Sequence, residues 1–253
     1  MSLTKEDVMS VKARGFLRNR GTDCFSGRVV SIGGVFSADQ LRALADCAQS
    51  FGNGNVIFTS RLSAEIPGIA YEKIPEAEFF LKERDLYFGG TGAKVRPVTA
   101  CKGSTCVFGL IDTHALARVI HERFYVGMKD VKLPHKFKIG VGGCPNSCMK
   151  PSLNDVGIEG CRAQSAAMCR VYVGGTWGKT QRMGTLLDGL YTEEQVPDLI
   201  EKVMLWYKEN GYAKERLGAV VDRLGKEALE KAIEGEDLVV RRNEILAAPI
   251  FEQ

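Results

Sequence analysis

The sequence predicts an α+β protein in two parts: a small open α/β layer, then a larger mixed α/β domain. Three observations predict it. Short β-branched runs alternate with amphipathic helical stretches along the chain. A glycine-rich hinge, "YFGGTGAKV" (87–95), separates the two series. The 253 residues, 45% apolar and 26% charged, suffice for one large domain or two small ones with real cores.

The elements follow in order. Residues 1–23 are polar, basic and weakly periodic, an N-terminal arm or a poorly packed first helix. "GRVVSIGG" (27–34) is a strand closed by a glycine turn. In "FSADQLRALADCAQSFGNG", Ser37 and Gln40 have capping-box spacing, and Leu41, Leu44, Ala45 and Ala48 share a helical face. The Gly52–Gly54 stretch stops that helix. "NVIFTS" (55–60) is a second strand and "IPEAEFFLKERDL" (74–86) a second helix. Beyond the hinge come a strand ("KVRPVTAC"), a helix ("IDTHALARVIHERFY", 111–125), a strand ("KFKIGVGG") and two short strands ("VGIEG", "RVYVGG"). "YTEEQVPDLIEKVMLWYKENG" is the clearest helix: Thr192 and Gln195 repeat the capping-box spacing, and Val196, Leu199, Ile200, Val203, Met204 and Tyr207 form one stripe. Pro197 falls in its first turn, where a missing N–H costs little. "RLGKEALEKAIEGE" is a last helix before a tail. The expected divisions are an arm (1–23), a first domain (24–90), a second domain (91–235) and a C-terminal tail (236–253).

A net charge of +3 does not argue for nucleic acid. No apolar run approaches the ~18 residues of a membrane span. The start, "MSLTKEDVMSVKARGF", lacks the apolar core and cleavage site of a signal peptide. A cytoplasmic chain with reduced thiols is therefore expected, and its eight cysteines point to metal rather than disulfides.

Four cysteines fall in two pairs, "CKGSTC" (Cys101, Cys106) and "CPNSC" (Cys144, Cys148), each closing an expected strand among small residues. Such residues let backbone N–H groups turn toward sulfur. In a helical turn Cys144 and Cys148 would share one face, with Pro145 opening the turn. Four thiolates on two loops hold a zinc ion or an iron–sulfur cluster. The spacing is looser than the C-x₂-C pairs of structural zinc and suits a larger cubane; unmetallated buried thiols are the third reading. Cys24, Cys47, Cys161 and Cys169 lack the pairing and read as small core residues.

Cations precede both loops. Lys136 and Lys138 point to one side of an extended strand and repel unless an anion lies between them. Arg96 stands five residues before Cys101, Arg61 ends "VIFTSR" and Arg28 opens "RVVSI". Taken singly, each also fits a solvated strand edge.

The stretch "KFKIGVGGCPNSCMKPSLNDVGIEG" resembles the signature of sirohaem-dependent nitrite and sulfite reductases. "VIFTSRLSAEIPGI", "VYVGGTWGKTQRMG" and "GRVVSIGGVFSADQLRALADCAQSFGNG" resemble further segments of that family, so the likeness spans roughly residues 24–235. It implies a ferredoxin-like α/β half-domain followed by a mixed α/β sirohaem and [4Fe–4S] domain. It also implies a six-electron reduction of sulfite to sulfide or of nitrite to ammonia. Cys101, Cys106, Cys144 and Cys148 match the cube's ligands, and Cys148 the thiolate shared with sirohaem. Arg96, Lys136 and Lys138 match the cations around the oxyanion, and Arg61 a residue facing the sirohaem carboxylates. Three departures stand out: a C-x₄-C first pair where the family has one more residue, no arginine near Val30 (Arg28 is the nearest substitute), and half the usual length. The missing lobe implies a homodimer or a more open site. No ferredoxin-type cysteine run is present, so electrons come from a separate donor, a ferredoxin or a reductase subunit. An iron–sulfur electron-transfer or sensing subunit without oxyanion reduction is the alternative.

Overall fold

In the computed structural model, which describes residues 3–252, the chain divides between Gly92 and Ala93 into two units, each with its own hydrophobic core. The first runs α1 (Lys5–Ala13), β1 (Phe16–Arg18), β2 (Cys24–Val29), α2 (Ala38–Phe51), β3 (Ile57–Phe58), β4 (Ala64–Ala70) and α3 (Ile74–Lys82). Its sheet has the order β1-β2-β4-β3, antiparallel throughout. The capping box at Ser37 and Gln40 forms at the start of α2. The buried stripe of that helix is Ala43, Leu44, Cys47 and Ala48; Leu41 and Ala45, expected on the inner face, point outward.

Residues 5–18, expected as an arm or a poorly packed first helix, form the helix α1 and then β1. Thr4 and Asp7 make a reciprocal capping box, and Phe16 is wholly buried, so the segment is packed rather than loose. β4 was not expected as a separate strand, because Pro67 and Gly68 sit inside it. A register shift between Phe25 and Gly27 on the neighbouring strand accommodates them.

The second unit comprises β5 (Thr99–Ala100), α4 (Thr113–Ile120), a π-helical turn (His121–Val126), β6 (Ile139–Gly142), β7 (Val156–Ala163), β8 (Ala166–Val173), β9 (Thr185–Leu186), α5 (Val196–Asn210), α6 (Leu217–Leu224), α7 (Lys226–Glu234), α8 (Asp237–Val240) and α9 (Arg242–Ala247). The sheet order is β5-β6-β7-β8-β9, with β5, β6 and β7 parallel and the last two pairings antiparallel. All six stripe residues of α5 are buried in the core, each contributing about 1.5–3 kcal/mol. Residues 236–253, expected as a tail, include α8 and α9, which anchor Leu238 and Ile245 in the same core.

Parallel β6 and β7 require the chain to travel back along the sheet between them. Residues 143–155 make that return without an α-helix, using a 3₁₀ turn at Pro151–Leu153. Glycines on the sheet make it fit. A Cβ on Gly157 would lie 1.9 Å from the Pro151 carbonyl oxygen, and one on Gly140 would lie 2.6 Å from Asn154 Nδ2. The crossover therefore lies flat against β6 and β7.

Candidate cluster and anion site

Cys101 follows β5 and Cys144 follows β6 after one residue, so the parallel pairing delivers both cysteine loops to the same sheet edge. Cys101 N–H donates to the Val141 carbonyl at 3.0 Å, and Leu110 N–H to the Gly143 carbonyl at 2.8 Å. Gly143 N–H donates to Cys101 Sγ at 3.2 Å. A Cβ on Gly143 would stand 3.0 Å from Gly103 Cα, so the loops touch backbone to backbone. The start of α4 holds the first loop. Thr113 Oγ1 donates to the Cys101 carbonyl at 2.7 Å, and Ser104 bonds Asp112, which caps the helix. The helix's positive end thus faces the thiol loop.

The second loop departs from expectation. Residues 144–150 form two successive turns rather than a helical turn, closed by Ser147 N–H to Cys144 O and Lys150 N–H to Ser147 O. Ser147 (φ 54°) and Lys150 (φ 47°) are left-handed on either side of Cys148, and this reversal breaks the helix. None of the four cysteines is in a disulfide; Cys101, Cys106 and Cys144 are half-buried and Cys148 is exposed. Among the described residues no three His, Cys, Asp or Glu side chains are grouped to hold a single metal ion. Two touching loops that carry four unpaired thiols, with a backbone N–H already given to one sulfur, fit the donor set of an iron–sulfur cube. The remaining cysteines lie elsewhere. Cys47, Cys161 and Cys169 are buried, and burial pushes the Cys47 and Cys169 thiols up to about 12. Cys161 pairs with Met168 and Cys169 with Gly160, so the two thiols point to opposite faces of the sheet.

Arg96, Lys136 and Lys138 come together at the other end of the same strands. Arg96 N–H donates to the Phe137 carbonyl at 2.8 Å, and Val95 bridges Phe137 in parallel register. Phe137 is fully buried between half-buried Lys136 and Lys138, as strand alternation requires. Three residues that sequence reasoning missed complete this cluster. Asp155 is fully buried. Both its oxygens accept from Arg216 Nη2 at 2.8 Å, and it also accepts the Lys138 N–H at 2.8 Å. Burial pushes its carboxyl up, against the pull of Arg216 and Lys138. His135 Nδ1 accepts the Lys136 N–H at 2.7 Å, which leaves the proton of the neutral ring on Nε2. Burial, then Arg216, Lys136, Arg96 and Lys138, lower the His135 pKa to about 4. Burial, Arg216 and Arg96 hold the Lys136 ammonium below its ordinary range. Asp155 stands inside the quoted signature and His135 beside Lys136, so proximity in sequence was their available signal; Arg216 lies 61 residues from Asp155 and had none.

In the first unit, Arg28 pairs with Glu65 on the neighbouring strand at 2.6 Å and donates to the Gly90 carbonyl at 3.1 Å. Arg61 does not end a strand; it lies in the turn between β3 and β4, its N–H bonded to Thr59 Oγ1 at 3.2 Å. No described helix is long and apolar enough to cross a membrane.

The fold and the paired cysteine loops define a two-unit α+β protein with a candidate iron–sulfur site, and comparison with known proteins gives the family. Residues 91–240 match the nitrite and sulphite reductase 4Fe-4S domain, and residues 18–83 the nitrite/sulfite reductase ferredoxin-like half domain. The chain belongs to the nitrite and sulfite reductase family. It is 28% identical to the coenzyme F420-dependent sulfite reductase of Methanocaldococcus jannaschii over 251 residues, 76% of this chain and 39% of that protein. It is 34% identical over 142 residues to an assimilatory-type sulfite reductase of Nitratidesulfovibrio vulgaris, 56% of this chain and 62% of that one. The structure of Mycobacterium tuberculosis NirA superposes with a TM-score of 0.82 at 21% identity, over 99% of this chain and 49% of the other. The chain thus spans less than two thirds of the length of these relatives.

Proposed function

We propose that this chain carries a [4Fe–4S] cube on Cys101, Cys106, Cys144 and Cys148, with sirohaem beside it through Cys148, and reduces sulfite or nitrite. The observation that carries the reading is the parallel β5–β6 pair, which ends in two touching loops with four unpaired thiols. When bound, the coupled cofactors supply the six electrons that no side chain supplies. The chain's own residues do the rest. Cys148, the exposed member of the set, is assigned the shared thiolate. Arg96, Lys136 and Lys138 attract the oxyanion, neutralise its charge and hold protons for the departing oxygens. Lys136 suits proton delivery, because burial and neighbouring cations already loosen its proton. Arg61 is assigned the cofactor carboxylates. Arg28, which also pairs with Glu65 on the neighbouring strand, is assigned to the cofactor together with Arg61.

The relatives include sulfite reductases and nitrite reductases alike, so both anions stand as substrates in this reading. A ferredoxin or a reductase subunit donates the electrons. The test is anaerobic reconstitution followed by an absorption spectrum, iron and acid-labile sulfide analysis, and dye-driven turnover of each anion. Sirohaem bands with sulfide release from sulfite are expected. Zinc at one equivalent without sulfide would replace the cube with a structural metal. Iron without oxyanion turnover would make the chain an electron carrier.

A further inference from the structure

His135 stands among four cations and is itself neutral. Arg216, Lys136, Arg96 and Lys138 all act on its ring, and they come from three separate stretches of the second unit. The backbone draws them together: Arg96 N–H donates to the Phe137 carbonyl, and the Lys138 N–H and Arg216 share Asp155. The other ionisable groups around the ring are already engaged. Asp155 is held by Arg216, and Glu215 is paired with Arg223 at 2.9 Å. The Tyr207 hydroxyl donates to the Glu215 carbonyl at 2.6 Å and is kept neutral by burial. Lys214, whose N–H bonds the Pro134 carbonyl, is exposed. Four cations against the single Asp155 carboxylate leave the cluster with surplus positive charge.

The ring's hydrogen bond also favours its neutral form. Nδ1 accepts the Lys136 N–H at 2.7 Å, so a proton on Nδ1 would point at another N–H. To become a cation, the ring must release that N–H and turn. The ring is half-buried, so a ligand among the cations can reach it.

We propose that an oxyanion seated among these cations puts a proton on His135, which then serves as a further proton donor to that anion. This rests on the reading of Arg96, Lys136 and Lys138 as the anion site. The anion cancels part of the surplus charge that keeps the ring neutral. The ring releases the Lys136 N–H, takes one proton from solvent and presents an N–H on each side. The released Lys136 N–H becomes one more donor. Each oxygen that departs as water takes two protons and two electrons. The electrons come from the separate donor, one proton from the imidazolium and one from the Lys136 ammonium, and both side chains reload from solvent. Proton supply is thereby tied to the presence of the anion.

Sulfate tests the coupling without turnover, since it keeps its two negative charges from pH 5 to pH 8. The chain has three histidines, His114, His121 and His135, so histidine-selective nitrogen-15 labelling of the full-length chain resolves the ring. At constant ionic strength, saturating sulfate should move the His135 titration upward by about two pH units, while His114 and His121 stay in place. By linkage, sulfate should then bind about tenfold more tightly at pH 5 than at pH 8. In His135→Gln the pH 8 affinity should remain and the tightening should vanish, which separates the ring from Asp155 and Lys136 as its source. A ring that titrates at the same pH with and without sulfate overturns the proposal. So does a folded His135→Gln variant that keeps the full tightening, or a chain that binds no sulfate at either pH. Failure to take up iron or to turn over sulfite after reconstitution would strike the reductase reading instead, and the sulfate titration would still report the ring.

Discussion

Arg216→Met isolates the buried charge at the base of the cation cluster. In the native chain Asp155 is fully buried and accepts three hydrogen bonds from Arg216, at 2.8, 2.8 and 3.2 Å, and one from the Lys138 N–H. Methionine fills much of the arginine's volume but leaves the carboxylate with a single neutral donor. Removing one partner of a buried pair costs about 3–5 kcal/mol. The retained Lys138 bond and the 17% exposure of the arginine side chain place the loss toward the lower end of that range. Against a typical total of about 5–15 kcal/mol, such a loss moves the urea midpoint of the second unit visibly. Trp206, buried in α5 of the same unit, reports the transition by fluorescence. Adding Asp155→Ala to the variant should cost less than the two single losses combined, since the second change removes the stranded charge. The Lys136 ammonium should titrate higher in Arg216→Met, because a depressing cation has gone and Asp155 is unpaired. A loss below about 1 kcal/mol, or strict additivity in the double variant, would refute this account of the cluster.

Three further outcomes follow from the same geometry. Cys148→Ser should leave the circular dichroism of the chain unchanged, since the residue is exposed, while reconstituted iron and sulfide fall to a small fraction of the wild-type value. Gly157→Ala places a methyl group 1.9 Å from the Pro151 carbonyl; the crossover must lift, at a cost of about 3 kcal/mol or more and a Tm lower by at least 6 °C. The third concerns acid. The folded His135 ring ionises at about 4 rather than 6.5, so the unfolded chain binds the extra proton between those values and stability falls as pH drops through that window. His135→Gln should flatten that fall in pH-dependent urea midpoints, and an unchanged slope would show that the ring is not the group responsible.

The placement of the two cysteine loops was legible because both follow strands, and strands with small residues at their ends declare themselves locally. Hydrophobic period gave α5 in full, since Val196, Leu199, Ile200, Val203, Met204 and Tyr207 are all buried. Where two faces compete the period misleads: in α2, Ala43 and Cys47 face the core in place of Leu41 and Ala45. β4 was hidden by Pro67–Gly68, whose penalty inside a strand is relieved by a register shift that only the paired strand reveals. The clustering of Arg96, Lys136 and Lys138 followed from alternation, but Arg216 arrives from the start of α6, and no local pattern announces a partner across that much chain.

One segment joins the two ends. Residues 144–155 begin at a proposed cluster ligand, lie flat on Gly140 and Gly157, and end at Asp155, which grips both the Lys138 N–H and Arg216. Along the way Ser147 and Lys150 hold left-handed backbone at a cost of about 1–2 kcal/mol each, and Asn154 Nδ2 donates back to the Lys150 carbonyl at 3.2 Å. That conformation flanks Cys148, and the contacts of Asp155 hold the far end of the segment. Loosening Asp155 therefore releases stored backbone strain at the cysteine. Arg216→Met should consequently shorten the lifetime of the reconstituted cluster under chelator, although Arg216 touches no cysteine, and amide exchange should quicken across residues 147–153. Lys102→Met, a change on the first cysteine loop away from the crossover, should leave both readouts unchanged. Equal chelator lifetimes in wild type and Arg216→Met would mean that the crossover bends between its ends and that each half of the site is built independently.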